Sequence, residues 1–352
     1  MSGFGGRVLV TGGAGFIGTA LARRFAADAS QWLAYDSLLP QVHGDAPELA
    51  LPDGVELVVG DVRDRQRLAA VVAQLRPDVV VHLAAETGTG QSLDEPSRHT
   101  DVNVTGTAVL FEALGGTPPE RLILTSSRAV YGEGDWQAAD GTVTQPGPRT
   151  AAMLERAVWD FPGLTALPSQ AGRTQPSPAN IYGATKLAQE HLVRSWAAAR
   201  GVRSSILRLQ NVYGPGQSPI NPYTGITTLF IQLARAGKVI PVYEDGEIIR
   251  DFVLIDDVVT ALGAASGAEQ DVLADVGSGQ ATSIRQMATV AASIFAAPEP
   301  QVTGQFRLGD VRHAACDMTP SEWVRDGTAP VGLREGLTQL ADWIRATVPA
   351  ER

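Results

Sequence analysis

Tyr182 and Lys186 stand four residues apart in the stretch YGATK. On a helix that spacing stacks the two side chains on one face. An ammonium beside a phenol favours the charged form, lowers the phenol's pKa from about 10 toward neutrality, and so makes a usable general base. Of the 28 basic residues only Lys186 and Lys238 are lysines. Arginine is therefore the default cation, and a lysine here marks a place that wants a compact charge, able to hold a ribose as well as the phenolate. Ser127, in LTSSRAVYG (124–132), offers a hydroxyl that can bond the same substrate oxygen that Tyr182 deprotonates.

A second group of residues has the chemistry of a dinucleotide site. VLVTGGAGFIG places Gly12, Gly15 and Gly18 after a strand-like run and at the start of a helix-like one. Glycines there allow a tight turn, close approach of backbone to a pyrophosphate, and helix-to-strand packing. Asp36 ends the next strand-like run, where a carboxylate bonds a ribose 2′-hydroxyl and repels a 2′-phosphate, which favours NAD over NADP. Asp61 and the Val62 backbone, in GDVRD (60–64), stand where an adenine can be bracketed. HLAAETGTGQS (82–92) leaves the fourth run as a loop of small and hydroxyl residues, at the sheet edge where open α/β proteins bind ligands.

These residues need a scaffold, and the first half of the chain supplies one. Short β-branched runs at 7–11, 32–36, 55–59, 78–84 and 121–126 alternate with helix-length segments at 16–27, 65–75 and 102–114. Strands apolar on both faces, alternating with helices, predict an α/β fold: a Rossmann doubly wound parallel sheet. We expect residues 1–210 to form this domain, with an insert at 133–179 where the pattern breaks, as in a functional loop, a lid or a disordered segment. Residues 211–352 carry shorter, less regular signals and read as a smaller, interleaved C-terminal α/β substrate lobe, with some segments returning to the main sheet. RLQNVYGPGQSPINPYTG (208–225) joins the two. Its Asn211, Tyr213, Asn221 and Tyr223 among prolines and glycines suggest that something polar is gripped there.

Composition narrows the function classes. The net charge of -10 shows no basic stripe and argues against nucleic acid as a partner. Cys316 is the single cysteine, which excludes an intrachain disulfide or thiolate metal cluster and fits a reducing cytoplasm. The five histidines are too far apart to suggest a metal pair. No signal-peptide core or long apolar span is visible, so no membrane association is expected.

As a set, GGAGFIG, Asp36, GDVRD, the HLAA loop, SSRAVYG, YGATK, RLQNVYGPG, RDFVLIDDVV (250–259), VGSGQATSI (276–284) and RLGDVRH (307–313) resemble the extended short-chain dehydrogenase/reductases, and within them the nucleotide-sugar epimerases and dehydratases. GQS (90–92), YGPGQSPINPYTG and YEDGEIIRDFV are most similar to the branch holding the dTDP-L-rhamnose 4-epimerases and related deoxysugar epimerases. The resemblance implies NAD as cofactor, held by Gly12, Gly15, Phe16, Ile17, Gly18, Asp36, Asp61, Val62, Leu83, Ala84, Ala85, Asn103, Tyr182 and Lys186. It implies a nucleotide-diphospho-sugar as substrate, met by Thr87, Gln91, Ser127, Arg128, Asn211, Gln217, Arg250 and Arg307, with Asn211, Arg250 and Arg307 on the diphosphate. It also implies a homodimer through the helices at 102–114 and 182–199.

The 4,6-dehydratases of the family carry an Asp-Glu pair after the catalytic hydroxyl residue, where this chain has Arg128 and Ala129. Without that acid and base, elimination of water lacks a catalyst. Epimerisation at C4 through a transient ketone is then the leading expectation, ahead of a 4,6-dehydratase or 4-ketoreductase and of a non-catalytic NAD-binding protein. Glu86 and Asp94 are further carboxylates that could face the sugar.

Overall fold

The computed structural model describes residues 3–45, 49–219 and 225–348. Its centre is a seven-stranded parallel sheet of β1 (Arg7–Thr11), β2 (Gln31–Asp36), β3 (Val55–Val59), β4 (Val79–His82), β5 (Arg121–Ser127), β9 (Arg203–Leu209) and β13 (Val272–Val276). The strand order is β13-β9-β5-β4-β1-β2-β3. The order reverses between β1 and β4, and ligands of open α/β sheets sit at such a switch point, beyond the carboxyl ends of the strands. Gly12, Asp36, Leu83 and Ser127 all lie at those ends.

Helices cover both faces of the sheet. Phe16–Phe25 and Ile255–Ser266 pack on one side with Leu21, Val258 and Leu262, while Arg65–Leu75, Gly106–Leu114 and Ile181–Arg200 pack on the other with Leu68, Leu110 and Val193. The helix expected at 102–114 begins with a π-helical turn, Asp101–Thr105, before Gly106–Leu114.

Helix Ile181–Arg200 is well defined at both ends. Asn180 caps it by accepting from Gly183 N–H at 2.9 Å, and Gly201 closes it at φ +65°. A Cβ on Gly183 would lie 2.5 Å from the Ala129 carbonyl oxygen. Only glycine lets the first turn of this helix pack so closely on the short turn Arg128–Tyr131, and that contact brings Tyr182 to Ser127.

The insert is ordered as a small antiparallel sheet of β6 (Trp136–Ala138), β7 (Val143–Thr144) and β8 (Leu164–Ala166), with a short helix Ala151–Glu155 capped by Thr150. Its strands are two or three residues long, so period-two alternation never develops and the sequence reads as loop. Trp136 anchors it, edge-on to Phe161 at 4.9 Å.

Beyond residue 210, β10 (Asn211–Tyr213), β12 (Ile249–Leu254), β14 (Ala281–Ser283) and β16 (His313–Ala314) form a second sheet, and β11 (Pro241–Val242) pairs with β15 (Gln301–Val302). Helices Ile226–Arg235, Ile284–Ile294 and Leu333–Thr347 pack against this region. Asn221 and Tyr223 lie outside the described residues. Among the described residues, no helix is long and apolar enough to cross a membrane.

Candidate active site

A cleft opens at the switch point. It is lined by Gly12, Gly15, Phe16, Ile17, Gly18, Asp36, Asp61, Val62, Leu83, Ala84 and Ala85, with Glu86, Thr87 and Gln217 at one end. Gly12 sits at φ +69°, and a Cβ there would lie 2.7 Å from the Ala84 nitrogen. A Cβ on Gly18 would lie 2.6 Å from the Gly12 carbonyl oxygen. The loop therefore keeps its backbone bare toward the cleft. Gly15 starts helix Phe16–Phe25 without a side-chain cap, so the first N–H groups remain available to an anion. The Asp36 carboxylate is fixed by the Ala14 and Leu38 N–H groups at 3.0 and 2.9 Å. Arg63 holds the Asp61 carboxyl below its usual range through a side-chain hydrogen bond, and the Tyr35 hydroxyl donates to the Asp61 carbonyl oxygen. Bare backbone for a pyrophosphate and a fixed carboxylate for a ribose fit NAD.

Three residues expected to touch ligands are engaged by the protein itself. Asn103 is fully buried; its amide donates to Thr185 Oγ1 and the Glu86 carbonyl oxygen and accepts from Glu86 N–H. It thereby ties the loop after β4 to the helix carrying Lys186. Gln91 exchanges hydrogen bonds with Gln41 and donates to Glu95. Glu86 is paired with Arg98 at 2.9 Å. Asp94 is exposed.

The second half of the site adjoins the carboxyl end of β5. Ser127 lies near enough to the Tyr182 phenol to lower its pKa, and its hydroxyl oxygen accepts from Ala129 N–H at 3.1 Å. Burial raises the Tyr182 pKa, while the Ser127 hydrogen bond and the nearby Arg128 guanidinium pull it back. Lys186 is buried, and desolvation pushes its ammonium down to about 7 against the opposing pull of Glu190. In this structure the charge that acts most directly on the phenol is Arg128 rather than Lys186.

Arg128 donates through Nε to Asn211 Oδ1 at 2.8 Å. Burial, with the like charge of Arg250 nearby, brings its pKa down to about 9. Arg250 is buried and lowered by desolvation, and its guanidinium donates to its own Ile249 carbonyl oxygen. Among the described residues neither guanidinium has a carboxylate in salt-bridge contact, although Asp310 acts on both from farther off. A buried guanidinium, Arg250, beside a partly buried one, Arg128, neither with a carboxylate in contact among the described residues, suits an anion. Arg307 is exposed and lies over the Tyr243 ring at 5.2 Å.

Beneath these groups lie polar residues that motif reading passed over. Glu190 binds Arg208 through both oxygens, at 2.9 and 2.7 Å, and accepts from Ser126 at 2.6 Å. Its place four residues after Lys186, on the same helical face, was the available signal. His82, 2.6 Å from Thr11 and 2.9 Å from Thr107, is pushed by burial and Lys186 down to about 3 and stays neutral. Among the described residues no group of His, Cys, Asp and Glu is placed to hold a metal.

The model of the NAD dependent epimerase/dehydratase family matches residues 8–152 and 161–273. A dTDP-L-rhamnose 4-epimerase of Burkholderia thailandensis is 55% identical over 97% of this chain and 95% of its own. A UDP-glucose 4-epimerase of Mycolicibacterium smegmatis is 31% identical over 96% and 98%. A UDP-glucose 4-epimerase from Thermotoga maritima, solved with UDP-glucose, superposes with a TM-score of 0.79 at 26% identity, covering 97% of this chain and 99% of that one. The chain belongs to this family, as an NAD-dependent epimerase of the nucleotide-sugar class.

Proposed function

We propose that the protein interconverts dTDP-L-rhamnose and its C4 epimer. The observation that carries this reading is Ser127 beside the Tyr182 phenol, with the partly buried Arg128 and buried Arg250 near them, at the carboxyl edge of the sheet that also carries the cleft. The substrate is suggested by the Burkholderia relative. Residues 1–210 would hold the cofactor, and 211–352 mainly the nucleotide sugar.

Tyr182 takes the proton of the C4 hydroxyl, and Ser127 holds that oxygen in line. NAD bound in the cleft would supply a reversible acceptor for the C4 hydride. Lys186 holds the ribose, and Arg128 supports the phenolate. Asn211, Arg128, Arg250 and Arg307 keep the diphosphate in place, so that the 4-keto sugar can turn about its link to phosphate and present its other face. Tyr182 then returns the proton. Arg250 and Arg307 come from the second half of the chain and Ser127 and Tyr182 from the first, so one end of the substrate can stay fixed while the other rotates. Arg128 and Ala129 take the positions where a dehydratase needs carboxyl groups, so the ketone has no partner for elimination. A homodimer would form through helices Gly106–Leu114 and Ile181–Arg200, where Phe111 stacks on Trp196 at 4.8 Å.

The test is incubation with dTDP-L-rhamnose and no added cofactor, followed by NMR of the sugar ring. Appearance of the C4 epimer supports the reading; an unchanged spectrum with dTDP-L-rhamnose, and turnover of a UDP-hexose instead, overturns the substrate.

A further inference from the structure

The insert and the substrate lobe meet in a buried network of charges. Arg149, from the insert, is almost fully buried. Its Nε donates to Glu133 at 3.3 Å, Nη1 to the Trp159 carbonyl oxygen and Glu244, and Nη2 to Glu244 and the Asp310 carbonyl oxygen at 2.8 Å. A guanidinium has five N–H donors, and every one is used. Glu244 is itself a hub: it sits at φ +51°, unusual for a residue with a side chain, binds Arg149 and Arg312, and donates its N–H to the Gln305 carbonyl oxygen. Arg312 extends the network to Asp245 and to Asp160, and its N–H donates to Glu133.

The partners of Arg149 flank one residue. Arg307 lies on the ring of Tyr243, next to Glu244, and its own loop runs from Gln305 to Asp310. Arg149 thus fixes both the platform under Arg307 and the far end of the loop that carries it. Trp159 adds a ring contact to Phe306 at 6.3 Å. Residues 153–160, which supply Trp159 and Asp160, fall outside both stretches matched by the family model.

We propose that segment 149–160 is a brace that sets affinity for the nucleoside diphosphate, with Arg149 a positioning residue for the 305–312 loop rather than a ligand of the substrate. The inference rests on the nucleotide-sugar reading above. It separates the roles of the two halves, because among the described residues no hydrogen bond or ion pair of this network reaches the glycine-rich loop, Asp36 or the Ser127–Tyr182 pair, although its charges act on Arg250.

The experiment uses the full chain with its bound NAD, titrated calorimetrically with dTDP and with UDP, alongside steady-state kinetics. Arg149→Met is expected to weaken whichever diphosphate the unaltered protein binds, and to raise KM, each by about tenfold or more. NAD per chain and kcat should stay within about twofold. Trp159→Ala, which strands no buried charge, should shift Kd and KM the same way by about threefold to tenfold. Unchanged affinity in Arg149→Met, or a loss confined to kcat, overturns the brace. If Arg149→Met does not yield folded protein, Trp159→Ala decides alone, and unchanged affinity there overturns it. If the unaltered protein binds neither diphosphate, the nucleotide-sugar reading falls and the brace with it.

Discussion

The two halves of the site are built from different materials. The cofactor half is made of bare backbone: Gly12 at positive φ against Ala84, Gly18 against Gly12, and an uncapped helix start. The proposed substrate half is made mostly of buried side-chain charge: Arg250 with the partly buried Arg128 beside it, and Arg149, Arg312, Glu133 and Glu244 joined by ion pairs. A backbone cradle fits one rigid group and keeps it. Long side chains held by a charge network can be aimed from several distant segments, which suits a site that must hold a diphosphate while the sugar turns. The difference teaches that retention of cofactor and affinity for substrate should respond to different substitutions.

The largest effect is expected where the halves meet. Tyr182→Phe should lower kcat by about 100-fold to 10,000-fold, the range of general acid-base catalysis, while NAD content and diphosphate affinity stay at wild-type levels. Comparable losses of binding would mean that Tyr182 is a structural residue.

Gly12→Ala attacks the cofactor half alone. The positive φ and the 2.7 Å approach to Ala84 should cost about 1–3 kcal/mol and release NAD on purification, as read by nicotinamide assay of the denatured protein. Full retention of NAD would show that the cofactor half tolerates a side chain at this turn.

Arg128→Met attacks the substrate half and, through Tyr182, the chemistry. Removing the cation that pulls the phenol down raises its pKa, so the acid limb of the kcat profile should move to higher pH, with KM up about tenfold. An unmoved limb would show that Arg128 acts on binding only.

The smallest effect concerns stability of NAD-free protein. Lys186 has a folded pKa of about 7 against 10.5 for the free side chain. Below about pH 7 both folded and unfolded chains hold the proton, and the burial penalty is fully present. Between 7 and 10.5 the unfolded chain binds the proton and the folded one does not, so this residue's contribution to stability rises with pH, by at most about 1.4 kcal/mol per unit. Denaturant unfolding of wild type and Lys186→Met at pH 7 and 9 should show their difference changing in favour of wild type at the higher pH. A constant difference would contradict the shift.

The cofactor half was the legible one, for the same reason it is rigid. Glycines after a strand, an aspartate ending the next and a Tyr–Lys pair at helical spacing are local patterns, and each lies within one strand-turn-helix unit. The substrate half joins residues far apart in sequence: Arg149 meets Glu244 and Asp310, and Arg128 meets Asn211. No spacing announces such contacts. The insert was opaque as well, because strands of two or three residues, such as Val143–Thr144, carry no periodicity to read. Asn103 and Gln91 show a further limit: neither lines the cleft, and their amides are taken by partners from distant segments, Thr185 and Gln41.

Transfer of a single hydride out of C4 and back is the centre of this account, and it can be followed directly. The measurement is NMR and mass spectrometry of dTDP-L-rhamnose carrying deuterium at C4, incubated with purified protein in ordinary water and without added cofactor. A mixture of the two C4 epimers with the label retained at C4 in both is expected. Loss of the label to solvent, with epimer formed, would show that a proton rather than a hydride leaves that carbon and would contradict hydride transfer.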